Sequence, residues 1–213
     1  DRFKERTMFP IQSYSGRTLG FGGRAFNPNA KAKYLNSPET LIYHKSKVLY
    51  GLNYAKHAIG KEELCYIVEG YTDVISMHQN GIENVVSASG TALTLEQIKL
   101  INRLAQNVVL LFDGDNAGIK ATYKSINMIL KEGMNVKIAA FPEGEDPDSF
   151  SKKLATDEFR QFLTTEAIDF IDYKINISKL NTISDPTKIT TIKRDIIASI
   201  SCIPDSLNRS QYC

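Results

Sequence analysis

Residues 107–118 read NVVLLFDGDNAG, and this stretch decides the fold. Val108 to Phe112 is an unbroken apolar run of strand length, with no polar position to mark a solvent face. A run of that kind fits a strand covered on both faces, as the strands of parallel sheets are. It runs straight into Asp113-Gly114-Asp115, and a helical pattern follows from about Asn116 to Lys131, stopped by Gly133. Strand, acidic turn and helix in succession form half of a strand–helix–strand unit.

Working outward, the same alternation repeats. Leu64 to Val68 is a second short apolar strand, ending in Glu69-Gly70. Thr72 to Asn80 then reads as a helix closed by Gly81, and Asn84 to Ser87 as a further strand. Thr94 opens the next helix, with Gln97 three residues on as its capping-box partner. On the other side of the opening stretch, Val136 to Phe141 reads as a fourth strand ending at Pro142. The expectation is an α/β fold, a small parallel sheet flanked by helices. Right-handed crossovers bring the carboxyl ends of the strands to one edge. Glu69, Asp113, Asp115 and the loop residues Glu145, Asp146 and Asp148 all follow strands at that edge, where open α/β sheets bind ligands.

The flanks read differently. FPIQSYSGRTLGFGGRAF alternates apolar residues with Gly and Ser, and Ser15-Gly16 suits a hairpin turn. An extended segment, KYLNSPET, follows, and Val48, Leu49, Leu52 and Ala55 predict a short helix over 47–56. Beyond Ser149 the pattern is helical: FRQFLTTEAIDFIDYKI reads as one helix, and a second follows Pro186 through Ile189, Ile192, Ile196 and Ile197 until Pro204. Both apolar stripes are expected to be core. The division expected is 1–61, a mixed α+β basic subdomain; 62–148, the sheet domain; and 149–213, a helical subdomain.

Charge supports that division. Residues 1–61 hold eleven Lys/Arg against three Asp/Glu, whereas residues 62–150 hold six against thirteen. Basic groups neutralise a polyanion, and clustered carboxylates hold divalent cations. Cys65, Cys202 and Cys213 show no paired spacing, and His44, His57 and His78 lie near no cysteine pair, so neither a zinc site nor a disulfide framework is expected. Cys65 is expected to be a buried thiol, and Lys56 and Lys61 solvated lysines. No apolar run approaches the ~20 residues that cross a bilayer. The chain opens on DRFKERTMFP without an initiator Met and ends on NRSQYC, from which a segment of a longer protein is expected.

Taken singly, each acidic motif reads as a helix cap or turn. Together, on successive strand ends, they read as a metal site. Two like charges ~4 Å apart cost ~1 kcal/mol in water and several times that near a protein surface. Magnesium relieves such a cluster, being a hard cation with oxygen ligands, and zinc does not fit because no His or Cys accompanies the acids.

A Glu after one strand and an Asp-x-Asp after a later one, in a compact α/β unit, resembles the Toprim domain. Within that group EGYTD, FDGDNAG and EGEDPD are similar to the bacterial, DnaG-type DNA primases, as are RFKERTMFPI, GRTLGFGGRAF, KYLNSPET and HKSKVLYGL. The resemblance covers essentially residues 1–150. It implies a DNA-directed RNA polymerase that makes short RNA primers on single-stranded DNA from ribonucleoside triphosphates, in the bacterial cytoplasm at the replication fork. It implies catalytic residues Glu69, Asp113 and Asp115, with Asp73, Asp146 and Asp148 completing a site for Mg2+, or Mn2+ in its place. Template and nucleotide contacts would fall on Arg2, Lys4, Arg24, Lys33, Tyr34, Asn36 and Lys45. The family's zinc module and helicase-binding region have no counterpart in these residues, so little or no primer synthesis is expected of them alone. Two rivals remain: another Toprim enzyme, a topoisomerase or nuclease, and a non-catalytic DNA-binding module.

Overall fold

The structure is a computed structural model that describes residues 2–90, 92–112, 116–142, 144–181 and 186–212. Asp113, Asp115 and Cys213 lie outside the described residues. The centre is a five-stranded sheet in the order β5-β4-β6-β7-β8. Its strands are β4 (Leu64–Val68), β5 (Val85–Ser87), β6 (Asn107–Leu111), β7 (Asn135–Ile138) and β8 (Ile168–Asp169). The first four run parallel, and β8 pairs antiparallel with β7 through Lys137↔Asp169 and Ile138↔Ile168.

The unbroken apolar runs follow from burial on both faces. Cys65, Ile67, Val108 and Leu110 enter one core with Leu52, Ala55, Ile59, Ile98, Ile101, Ile126 and Ile129. Their alternates Tyr66, Val68, Val109 and Leu111 enter a second core with Val74, Met77, Phe159 and Leu163. Helices α1 (Leu52–Glu62), α3 (Leu95–Asn102) and α4 (Asn116–Lys131) therefore cover one face, and α2 (Tyr71–Gln79) and α6 (Thr156–Glu166) the other. Thr94 and Gln97 form the expected reciprocal cap at α3: the Gln97 N–H donates to Thr94 Oγ1 and the Thr94 N–H to Gln97 Oε1.

Before the sheet, β1 (Arg6–Gln12), β2 (Thr18–Ala25) and β3 (Tyr34–Asn36) form a separate antiparallel sheet. Gly16, at φ +88°, turns the β1–β2 hairpin. Phe9, Ile11 and Tyr43 of this region make a third core with Tyr71 of α2, so the basic sheet docks on the start of that helix. After the sheet come α5 (Pro147–Ser151), α6, α7 (Phe170–Asn181), α8 (Pro186–Ile200) and α9 (Ser206–Ser210).

Several expectations need correction. The helix expected over 47–56 is α1, displaced to Leu52–Glu62. Tyr50 is drawn into an antiparallel bridge with Ser87, and Gly51 at φ +84° turns the chain into the helix. Strand β7 stops at Ile138 rather than Phe141. The single helix read over 159–175 is two helices separated by β8, because Ala167 is extended and its successors add to the edge of β7. The sheet is accordingly mixed, with one antiparallel edge.

The stripe on α8 is not core throughout, since Ile189 and Ile197 are 41% and 64% exposed. Lys56 is not merely solvated: its Nζ donates to the Tyr14 carbonyl at 3.1 Å and lies over the Tyr14 ring. Cys65 is a fully buried free thiol, as expected, and burial pushes its pKa up. No described helix is long and apolar enough to cross a membrane.

One buried cation fastens the helical tail to the sheet domain. Lys174 of α7, 1% exposed, donates to Asp195 and Ser199 of α8 at 2.6 Å each and lies over the Tyr123 ring of α4. Ser199 in turn donates to Asn127. Asp195 is partly solvated, so removing the cation does not strand a buried anion. Lys174→Met should therefore change stability by less than ~1 kcal/mol, because a buried pair is replaceable by an apolar side chain of similar volume. Asp195→Ala, which leaves the buried ammonium without its carboxylate, should cost more. Urea denaturation of both variants checks the order, and the reverse order would show that the ion pair is not what holds these helices.

Candidate active site

Strand order places the site. The chain leaves β4, builds β5 on one side of it, and then crosses back to build β6 on the other. The carboxyl ends of β4 and β6 thus flank a topological switch point, where the helices diverge to opposite faces and leave a crevice. Val68 and Leu111 are paired neighbours at that edge. Glu69 follows Val68 directly, and Asp113-Gly114-Asp115 are the residues that join Phe112 to α4.

A cleft of about 350 Å³ opens over this edge. One wall is Glu69, Gly70, Thr72, Asp73, Asp146 and Asp148, and the other is Arg24 of β2, Tyr34 and Asn36 of β3 and Lys33 just before β3, with Ser89 and Gly90 between. The structure thus brings together eight residues singled out from sequence: Glu69, Asp73, Asp146, Asp148, Arg24, Lys33, Tyr34 and Asn36.

Each carboxylate has its own setting. Glu69 is exposed, whereas Asp73 is buried in the first turn of α2, where its Oδ2 accepts the Gly70 N–H at 2.8 Å. Asp146 caps α5 by accepting the Ser149 N–H at 2.6 Å. Asp148 accepts from Ser76 Oγ and from Lys152 Nζ, the latter at 2.6 Å. Burial pushes the Asp148 pKa up, but those two donors, together with the charges of Lys152 and Arg24, outweigh it and hold the carboxyl below its usual range. The Lys153 and Ser149 donors likewise hold Glu145 low. Among the described residues no three Asp, Glu, His or Cys side chains could by themselves hold a metal ion.

On the basic wall, the Arg24 guanidinium lies 5.8 Å from the centre of the Tyr34 ring. The Asn36 side chain is engaged within the protein: its Nδ2 donates to the Ser89 carbonyl at 3.0 Å and its Oδ1 accepts from Tyr71 Oη at 2.8 Å. Arg2 donates to the Asn36 carbonyl at 3.1 Å, just outside the lining. Lys4 and Lys45 are not brought into the cleft. Lys4 is exposed beside Glu5, and Lys45 lies in a short 3-10 turn whose backbone N–H donates to Glu39.

Ser89, Gly90 and Tyr71 were not foreseen as lining. The signal was present: Ser89 follows β5, whose carboxyl end reaches the same edge as those of β4 and β6.

Comparison with known proteins accords with this geometry. Residues 1–56 match the family "DNA primase catalytic core, N-terminal domain", and residues 66–151 match a Toprim-like family. The DNA primase of Clostridium acetobutylicum is 48% identical over 177 residues, which are 83% of this chain and 29% of that protein. The DNA primase of Halalkalibacterium halodurans is 37% identical over the whole chain and 35% of its own length. The chain thus spans about a third of the curated relatives it matches. Among solved structures, a DNA primase domain from Pseudomonas aeruginosa superposes with a TM-score of 0.88 at 36% identity, over 99% of this chain and 67% of that one. A DnaG primase catalytic domain bound to single-stranded DNA gives 0.85 at 34% identity, over 99% and 69%. A chain matched along its whole length to primase catalytic cores, with a cleft at the same strand ends that its motifs single out, belongs to the DNA primase family.

Proposed function

We propose that this chain forms part of the catalytic centre of an enzyme that makes short RNA primers on single-stranded DNA. The observation that carries the reading is the two-sided cleft, acidic on the sheet wall and cationic on the wall of the small sheet. Glu69, with Asp113 and Asp115, would hold magnesium, and Asp73, Asp146 and Asp148 would complete the acidic group. The donors fit such an ion, because among the described residues the cleft lining offers carboxylates and no His or Cys. When bound, the metal lowers the pKa of the primer 3′-hydroxyl and balances charge on the attacking and leaving oxygens.

The protein's own groups do the rest. Lys33 and Arg24 hold a phosphate-bearing partner by charge. Tyr34 offers a ring on which a base can stack. Attack of the 3′-hydroxyl on the α-phosphate of a ribonucleoside triphosphate forms the new phosphodiester bond and releases pyrophosphate. The units 1–61, 62–148 and 149–213 would supply, in turn, polyanion binding, the metal site and a supporting helical segment. A replicative helicase would bind elsewhere on the full-length protein, in the bacterial cytoplasm.

Incubation of the full-length protein with single-stranded DNA, ribonucleotides and Mg2+ tests the reading. Short RNA products support it, whereas relaxation or cleavage of DNA without them would assign the site to a topoisomerase or nuclease. DNA binding with neither reaction would leave a binding module. The cationic wall has its own test. Lys33→Ala should weaken binding of all single strands alike and reduce the slope of log K against log salt by ~0.7, the share of one phosphate contact. A changed sequence preference at an unchanged slope would remove Lys33 from the phosphate.

A further inference from the structure

One peptide unit in the cleft is gripped from both sides. The register between β4 and β5 ends at Val68↔Ser87, one residue before Glu69. Ser87 Oγ donates to the Glu69 carbonyl at 2.7 Å. The N–H of the same peptide, on Gly70, is accepted by Asp73 Oδ2 at 2.8 Å. The plane that follows the Glu69 Cα is thereby fixed at both its oxygen and its nitrogen.

Ser87 is itself held immobile. It is fully buried, its N–H donates to the Tyr50 carbonyl at 3.1 Å, and its own carbonyl accepts the Tyr50 N–H at 2.8 Å. Its hydroxyl has one proton, and that proton is on Glu69 O. Its lone pairs then accept the Ser89 N–H at 2.8 Å and Ser89 Oγ at 3.1 Å. Ser89 holds a left-handed backbone at φ +52°, uncommon for a residue with a side chain, and its carbonyl accepts from Asn36 of β3. An unbroken string of hydrogen bonds therefore runs from the turn that carries Glu69 to the wall that carries Tyr34.

We infer that Ser87 is a positioning residue, which through the Glu69 carbonyl fixes the turn from which the Glu69 side chain departs and ties that turn to the nucleic-acid wall. The inference rests on the reading of Glu69 as a metal ligand. Groups one bond removed from a ligand set its orientation, and their loss typically costs 10–100-fold in metal affinity or activity. Ser87→Ala removes the hydroxyl without adding bulk, so the turn loses its grip while the core stays filled. Ser125→Ala is the matched control: Ser125 is equally buried and its Oγ donates to a backbone carbonyl, that of Ala121, within α4.

The experiment follows Mn2+ binding to the full-length protein through the electron-spin resonance signal of the free ion, beside melting temperature and the kcat and KM of primer synthesis. Ser87→Ala should bind Mn2+ at least about tenfold more weakly and lower kcat with KM for template unchanged. Its melting temperature should fall no more than that of Ser125→Ala, whose Mn2+ affinity stays that of the parent. Ser87→Thr, which keeps the hydroxyl, should recover most of the affinity. Parental Mn2+ affinity in Ser87→Ala, with affinity lost in Glu69→Gln, overturns the positioning role alone. Parental affinity in Glu69→Gln overturns the metal reading beneath it.

Discussion

In the full-length protein, replacing Glu69 by Gln should lower primer synthesis by ~10²-fold or more, about 2.7 kcal/mol of transition-state stabilisation, while the protein stays folded. The side chain is exposed at the end of β4, so an amide of the same size disturbs no core contact. What changes is charge. In the absence of metal the substitution relieves repulsion from the neighbouring carboxylates, and stability should hold or rise. In the presence of metal the parent gains stability by mass action, RT ln(1 + [Mg2+]/Kd), and the variant gains less. Melting curves with and without Mg2+, beside primer assays, separate this from a capping role. A cap would lose stability at every Mg2+ concentration, and activity would fall only in step with it. A Glu69→Gln variant that melts early, responds to Mg2+ like the parent and keeps near-normal activity would remove Glu69 from the metal site. Asp113→Asn and Asp115→Asn should behave as Glu69→Gln does.

The central strands were legible because burial on two faces leaves a one-dimensional signature. LCYIV and VVLL have no solvent face to encode, and the structure sends their alternate residues into two different cores. The hidden parts are those whose conformation is decided by a distant partner. Residues 48–50 have an apolar spacing that suits a helix, yet Tyr50 pairs with Ser87, and the helix waits for Gly51. Ile168-Asp169 carry no glycine or proline to announce a break; only the unfilled edge of β7, thirty residues earlier in the chain, makes them a strand.

The place of the candidate site was legible for a similar reason, since acidic residues that recur immediately after apolar parallel strands fall at one edge of the sheet. The sequence could not say which carboxylates spend their oxygens on the protein itself. Asp73 serves the Gly70 N–H, Asp146 caps α5, and Asp148 meets Ser76 and Lys152. Nor could it distinguish, among eleven cations in the first segment, the two that line the cleft from Lys4 and Lys45, which do not. That distinction depends on how the small sheet is seated, and the tightest glycine fit in that seat is between Gly22 and Tyr71.

Gly22 of β2 is the notch in which Tyr71 rests. A Cβ built at residue 22 would come within 2.5 Å of Tyr71 Cζ and 2.7 Å of its Oη. The ring cannot step aside: it stacks on Phe9 at 4.9 Å, meets Tyr50 edge-on at 4.7 Å, and donates its hydroxyl to Asn36. Nor can the strand, because Gly22 is paired with Phe9 on one side and Asn36 on the other. Gly22→Ala should therefore cost about 1–3 kcal/mol, the usual penalty for overpacking a filled core. In a domain of this size that lowers the melting temperature by about 2–4 °C per kcal/mol. Because Tyr71 lies two residues after Glu69, the strain should reach the acidic turn, and primer synthesis should fall although Gly22 carries no functional group. Tyr71→Leu alone should also destabilise, by loss of the stacked ring. The double variant should be more stable than the sum of the two, since the smaller side chain makes room for the added methyl. Additive effects, or a Gly22→Ala protein that melts with the parent, would show that the small sheet is seated by something other than this notch.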